Sequence, residues 1–181
     1  PANGRERFIK ENGLPTYTWD ANDQVVVGDN NPDAQGSIGL NVAYKGFYLN
    51  ASFMYQWGAQ SYNETLLNKV ENADVRGSNV DRRVLTQRWM NSGDIAPFYD
   101  MGNDTKTRVT TRFVQDYDYF NFSGLSLGYD FSRELISKWR LRSLGLRFNM
   151  NDICRWSTVK EERGTSYPFS RSFSFTLNIG I

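Results

Sequence analysis

The sequence contains no histidine, which removes the commonest general base and the usual transition-metal ligand. Ser-His-Asp triads, Cys-His pairs and histidine-based zinc sites are excluded with it. Cys154 is the sole cysteine, so no internal disulfide framework can form. No apolar run approaches the roughly 18 residues of a membrane helix, and the mean hydropathy is −0.59. That excludes helical spans alone, because a membrane barrel alternates and averages out as polar. Charge of one sign is also lacking: 21 Lys and Arg stand against 20 Asp and Glu, a net of +1. Bulk charge therefore points to no nucleic acid or other polyionic partner. The chain opens on Pro-Ala-Asn-Gly, with no initiator methionine, signal peptide or lipidation motif, and reads as a piece of something longer.

Aromatic residues, by contrast, are abundant: 5 Trp, 10 Tyr and 12 Phe make up 15% of the chain. Such a load fits a barrel with aromatic girdles, a sugar-binding surface or an aromatic-rich soluble β-core. Residues 1–34 are polar and turn-rich around one short apolar run, Gln24-Val25-Val26-Val27, and read as a loop region with one short strand. Asp29, Asn30, Asn31 and Asp33 are calcium-type ligands, but they lack the spacing and closing glutamate of an EF-hand loop. A solvated turn is the expected reading, and no metal site is assigned.

Strict alternation begins after residue 35. Ile38, Leu40, Val42 and Tyr44 share one face, then Phe47, Leu49, Ala51, Phe53, Tyr55 and Trp57 share another. A two-residue turn at Lys45-Gly46 would pair 44 with 47, 42 with 49, 40 with 51 and 38 with 53, placing every apolar residue on one side. The opposite side carries Asn41, Tyr48, Asn50, Ser52 and Gln56. Residues 59–112 break the pattern as a long charged loop, within which Glu64–Ala73 has the makings of a short helix. Phe120 and Phe122 resume it in one phase and Leu125, Leu127, Tyr129 and Phe131 in the other, so a β-bulge is expected near Ser123-Gly124. Leu144, Leu146, Phe148 and Met150 form the next apolar face, with Arg147 and Asn149 opposite. Leu141 is out of phase, which implies an irregularity near Ser143. After a loop at 154–169, the chain ends on Phe173, Phe175, Leu177, Ile179 and Ile181, alternating with small polar residues.

The expected fold class is thus all-β, an antiparallel meander of about five long strands with short turns at one end and long loops at the other. Either the apolar face packs on a protein core, as in a soluble or surface β-sandwich that binds carbohydrate, or it meets lipid. Charge placement favours lipid: Asp130 and Arg147 fall on the polar side, while Lys45, Arg140, Arg142 and Arg171 lie near the strand ends. Aromatics mark both ends, with Tyr44, Phe47, Phe131 and Trp139 at the short-turn end and Tyr55, Trp57, Trp156 and Phe169 at the other. Five strands cannot close a barrel, so on this reading most of the barrel lies outside the sequence.

The ordered segments VVVGDNNPD, NVAYKGFYLNASFMYQWGAQSYN, RWMNSGD, TRFVQDYDYFNFSGLSLGYDF, LRSLGLRFNMND and YPFSRSFSFTLNIGI resemble the C-terminal end of the SusC/RagA family. These are TonB-dependent transporters of the Bacteroidetes outer membrane. Ser92, the FNMND stretch and Ile181 depart from the family pattern. The resemblance implies the C-terminal segment of a large transmembrane β-barrel: an extracellular loop region at 1–34, then the last five strands over 35–181. It also implies import of oligosaccharides or peptides with a SusD-like surface lipoprotein as lid, energised by TonB through an N-terminal part absent here. No cofactor, enzymatic activity or nucleic-acid partner is implied. In that setting Ile38, Leu40, Val42, Leu49, Phe53, Leu125, Leu127, Leu144, Leu146, Phe148, Phe173, Phe175, Leu177 and Ile179 would face outer-membrane lipid, and Asn41, Asn50, Gln56, Arg147 and Asn149 the lumen. Trp89, Phe98 and Tyr99 in the long loop are candidate contacts for substrate or lid. Glu64, Glu71, Asp74 and Asp94 offer carboxylate pairs of the kind glycosidases use, but nothing in the sequence fixes their separation.

Overall fold

A computed structural model describes residues 4–103, 105–160 and 171–181. Its strands in chain order are β1 (Phe8–Ile9), β2 (Pro15–Thr16), β3 (Ala34–Tyr44), β4 (Phe47–Trp57), β5 (Gln60–Tyr62), β6 (Val114–Asp116), β7 (Tyr119–Asp130), β8 (Ser143–Ser157) and β9 (Ser172–Gly180). The chain divides into two compact units, one holding the stretches up to Asp29 and Gln60–Gln115, the other Asn30–Ala59, Asp116–Val159 and the C-terminal strand.

The second unit is a five-stranded sheet in the order β3-β4-β7-β8-β9, every neighbour antiparallel and consecutive along the sheet. Its first hairpin has the register that alternation dictates: 44 opposite 47, 42 opposite 49, 40 opposite 51 and 38 opposite 53. Lys45 and Gly46 both take positive φ, 45° and 87°, the type I′ geometry whose twist matches the flanking strands. The bulge falls at Ser123, where Ser52 pairs with Gly124 and Phe53 with Phe122. The hydroxyl of Ser123 donates to the carbonyl of Ser52 at 3.0 Å, giving the extra residue a fixed partner. Opposite it on β8, Asp152 takes a positive φ of 51°, and the pairing moves from Asn151 with Gly124 to Cys154 with Phe122.

Two expectations are corrected here. Leu141 is out of phase because it precedes the strand, which begins at Ser143, so the irregularity expected near Ser143 is the start of β8 and not a break within it. The strand also continues through Ser157, so residues 154–157 are ladder rather than loop. Residues 161–169 of the expected loop, with Phe169, lie outside the described residues.

The first unit holds a hydrophobic cluster of Leu66, Val70, Val84, Phe98 and Phe113, flanked by Tyr62, Leu67, Ala73 and Val80. Its helix begins at Glu64 because Asn63 Oδ1 accepts the Leu66 N–H at 2.8 Å, supplying one of the orphan donors of a first turn. Leu66, Leu67 and Val70 then fall on one face, and the helix widens into a π-turn over Leu67–Glu71, closed by Asn72 N–H donating to Leu67 O at 2.7 Å. Gln24–Val27 forms no ladder; the small hairpin of this region is instead β1 with β2. The β-branched run has strand propensity, but among the described residues no neighbouring strand accepts it.

Candidate functional site

The sheet has two unlike faces. On one, cross-strand rows run Val42–Leu49–Leu127–Phe148–Phe175 and Leu40–Ala51–Leu125–Met150–Phe173. Tyr44–Phe47–Tyr129–Leu146–Leu177 forms a third row nearer the short turn, and Leu144 pairs with Ile179 beside it. These side chains are not covered by a second layer: Leu40 and Val42 are each 50% exposed, Phe175 77% and Leu177 57%. Ile38, Leu127, Leu146, Phe173 and Ile179 are also exposed, while Leu49, Phe53, Leu125, Leu144 and Phe148 are half-buried by their row neighbours. Aromatic clusters end the face, Phe47 on Tyr129 at 4.3 Å and Tyr129 on Phe131 at 4.8 Å at the short-turn end. Tyr55 stacks on Trp57 at 5.0 Å, and Phe120 meets Trp156 at 5.9 Å, at the other.

The reverse face is a hydrogen-bonding surface. One row, Asn41–Asn50–Ser126–Asn149–Ser174, crosses all five strands without a charge or an apolar side chain. Ser126 Oγ donates to Asn149 Oδ1 at 2.8 Å, and Asn149 Nδ2 donates to Ser174 Oγ at 3.4 Å. In the next row Tyr48, Gly128 and Arg147 are neighbours. A Cβ on Gly128 would fall within the Tyr48 ring, so glycine is what lets that ring lie flat on the strand. The Arg147 guanidinium carbon stands 5.5 Å from the same ring. Gln56, nearer the long-loop end, donates to the Tyr117 carbonyl at 3.3 Å. The five residues expected on the polar side therefore share one face.

The first unit contains a cleft of about 780 Å³ walled by residues of its N-terminal segment, of Trp89–Tyr99 and of Val109–Arg112. Trp89, Phe98 and Tyr99 all contribute to it, but not as projecting contact residues: Phe98 and Tyr99 are each only 6% exposed. Phe98 belongs to the hydrophobic cluster, and the Tyr99 hydroxyl donates to Asn72 Oδ1 at 2.7 Å and the Thr105 carbonyl at 3.1 Å. Burial raises the Tyr99 phenol above its ordinary range. The expectation of open aromatic faces is thus corrected for these two; they form a back wall.

Of the four carboxylates offered by the sequence, Glu64, Asp74 and Asp94 are exposed and Glu71 is enclosed by the fold. Glu71 is wholly buried, where Arg112 meets Oε1 at 2.5 Å and Thr107 Oγ1 donates to it at 3.2 Å. Glu6 shares the same guanidinium at 3.0 Å. Burial pushes the Glu6 carboxyl up, against the opposing pull of Arg112, with the Glu71 charge adding to the rise. The buried Arg88 closes the helix nearby, its guanidinium donating to the Val70 carbonyl at 2.7 Å and to the Glu71 carbonyl. The pairing of Glu71 with a residue 41 positions away left no local pattern to detect. Asp29 is held to Gln60, its carbonyl accepting from the Gln60 N–H at 2.7 Å and its own N–H donating to Gln60 Oε1 at 3.2 Å. Among the described residues no group of three or more His, Cys, Asp or Glu is placed to hold a metal ion.

No family model matches the chain, and neither does any curated protein. Solved structures do. The RagAB peptide importer in an open-open state superposes with a TM-score of 0.73 at 15% identity, covering 99% of this chain and 21% of that one. This is the fold of a barrel segment. A RagAB peptide transporter structure gives a TM-score of 0.70 at 15% identity, over 98% of this chain and 21% of that one. The closed-closed state of the importer gives 0.65 at 16% identity, over 95% and 20%. The chain therefore spans about a fifth of the length of the structures it resembles, and those neighbours are transporters rather than enzymes.

Proposed function

We propose that this chain is the C-terminal wall segment of a TonB-dependent outer-membrane transporter of the SusC/RagA kind, with the loop-rich unit on the outer side. It would import oligopeptides or oligosaccharides with a SusD-like surface lipoprotein as lid, and draw energy from TonB through an N-terminal part. The carrying observation is the pairing of an exposed apolar face with a charge-poor, hydrogen-bonded polar face on the same five strands. Burying each large aliphatic or aromatic side chain is worth about 1.5–3 kcal/mol, so leaving whole rows in water would be costly. Hydrocarbon relieves that cost without a second protein layer, and the asparagine-serine row suits a wall bordering water or a plug. Strands of 9–15 residues are long enough to span the hydrocarbon core when tilted. A carbohydrate-binding sandwich would need those rows covered, whereas Leu40, Val42, Tyr44, Phe47, Phe173, Phe175 and Leu177 each keep half or more of their surface exposed. Like its structural neighbours, the chain is read as a transport component without catalytic activity.

The test is uptake by cells carrying the intact gene, compared with cells lacking it. Labelled oligopeptides and oligosaccharides are supplied with and without a protonophore, and the membranes are fractionated in parallel. The reading predicts gene-dependent uptake that collapses when the energising gradient is removed, and the protein in the outer-membrane fraction. Recovery of the protein as a monodisperse soluble species without detergent would contradict it.

A further inference from the structure

The apolar face of the sheet carries a groove of about 530 Å³ toward its short-turn end, among Val42, Tyr44, Phe47, Leu127, Tyr129 and Phe148. The rim beside it is strongly cationic. The two short connections, Lys45-Gly46 and residues 131–142, hold Lys45, Arg133, Lys138, Arg140 and Arg142 against the one carboxylate of Glu134. All five cations are exposed, and among the described residues none has an ion-pair partner. Asp130, at the end of β7, pairs with Gly145 in a row of the polar face. Lys45 Nζ stands 5.2 Å from the centroid of the Tyr44 ring, which is itself a wall of the groove. The Arg142 N–H donates to the Gly180 carbonyl at 2.8 Å, which fixes that residue at the end of β9. Trp139, 63% exposed, stands in the same connection.

We propose that this groove is a site for an anionic phospholipid of the leaflet on the short-turn side, with an acyl chain in the groove and the phosphate at Lys45 and Arg142. A hydrocarbon chain suits walls that are aliphatic and aromatic throughout, and unpaired cations at headgroup depth supply the charge complement of a phosphate. Tyr44 and Trp139 are the ring types that sit at that depth. Further strands of a barrel do not fill the groove. They would join at the edges β3 and β9, in the plane of the sheet, whereas the groove is centred on β4, β7 and β8. A second copy seated face to face about an axis along the membrane normal would bring the same cations against each other. The inference rests on the barrel reading and adds a bound lipid to it.

The experiment uses the intact transporter in phosphatidylcholine vesicles, with Cys154→Ala and a bimane on Leu177→Cys. Leu177 pairs with Leu146, a groove residue, without lining the groove itself. Quenching by dibrominated phosphatidylglycerol is compared with quenching by dibrominated phosphatidylcholine at the same fraction. The anionic lipid is expected to be favoured about fivefold or more at low salt, and less at high salt. The preference should fall to parity in the K45N/R142Q variant, in which asparagine accepts the positive φ of the turn. A bimane on Ile38→Cys, on the same face toward the long-loop end, should show no headgroup preference. Equal quenching by the two lipids at Leu177, a preference that survives K45N/R142Q, or the same preference at Ile38 would overturn the proposal and leave the barrel reading intact. Quenching by neither lipid at Leu177 but by both at Ile38 would mean that another chain covers the groove, and would overturn it as well. Quenching at neither position would contradict the barrel reading itself.

Discussion

Glu6, Glu71 and Arg112 share one guanidinium between two carboxylates, and their burial decides what each contributes. Glu71 has no exposed surface, so removing its cation would leave an uncompensated buried charge. Glu6 is the more adjustable member, because burial holds its carboxyl above the usual glutamate range. A folded-state pKa above the unfolded value means that the protonated form favours the fold. The stabilisation from Glu6 is therefore complete below the unfolded pKa and is lost as pH rises through the folded value. Backbone hydrogen exchange of residues 4–10 should accordingly speed up relative to the rest of the protein across that window, after correction for intrinsic rates. The E6Q variant, which cannot ionise, should flatten this dependence; an unchanged profile in E6Q would assign the effect to another group.

At the level of the strands, the Tyr48–Gly128–Arg147 row couples three neighbours through one small residue. Gly128→Ala must lift the Tyr48 ring off β7, an overpacking cost of about 1–3 kcal/mol. In Y48A the space is free, so the same glycine substitution should cost little, and the two changes should be non-additive in a double-mutant cycle on the intact protein. Additive effects would mean that the ring does not rest on the glycine. The hairpin at Lys45-Gly46 was readable from sequence because two alternating runs agreed in phase across a turn-compatible pair. The bulge at Ser123 was readable because Phe122 and Leu125 fall in opposite phases. The polar row from Asn41 to Ser174 was not, since aligning five strands needs the register on each side of that bulge. The cleft was less legible still. Val25–Val27 has strand chemistry without a strand partner, and Phe98, Tyr99 and Glu71 gave no local sign of the burial that the tertiary fold imposes.

For the whole molecule, the central claim concerns which medium each face of the sheet meets. The apolar rows keep half or more of many side chains exposed, and on the polar face Ser126, Asn149 and Ser174 are linked by hydrogen bonds between short uncharged side chains. Among the described residues both outer strands of the sheet, β3 and β9, are paired on one side only. In hydrocarbon such edges demand closure by further strands, which is why the account places this segment in a larger barrel. A nitroxide scan of the intact protein in outer-membrane bilayers, in a Cys154→Ala background, tests the claim most directly. Labels at Leu40, Leu127 and Leu177 should collide readily with dissolved oxygen and poorly with a water-soluble nickel chelate. Labels at Asn41, Asn50 and Asn149 should show the reverse preference or be shielded from both. High nickel accessibility at the three leucine positions, or no difference between the two faces, would contradict the account.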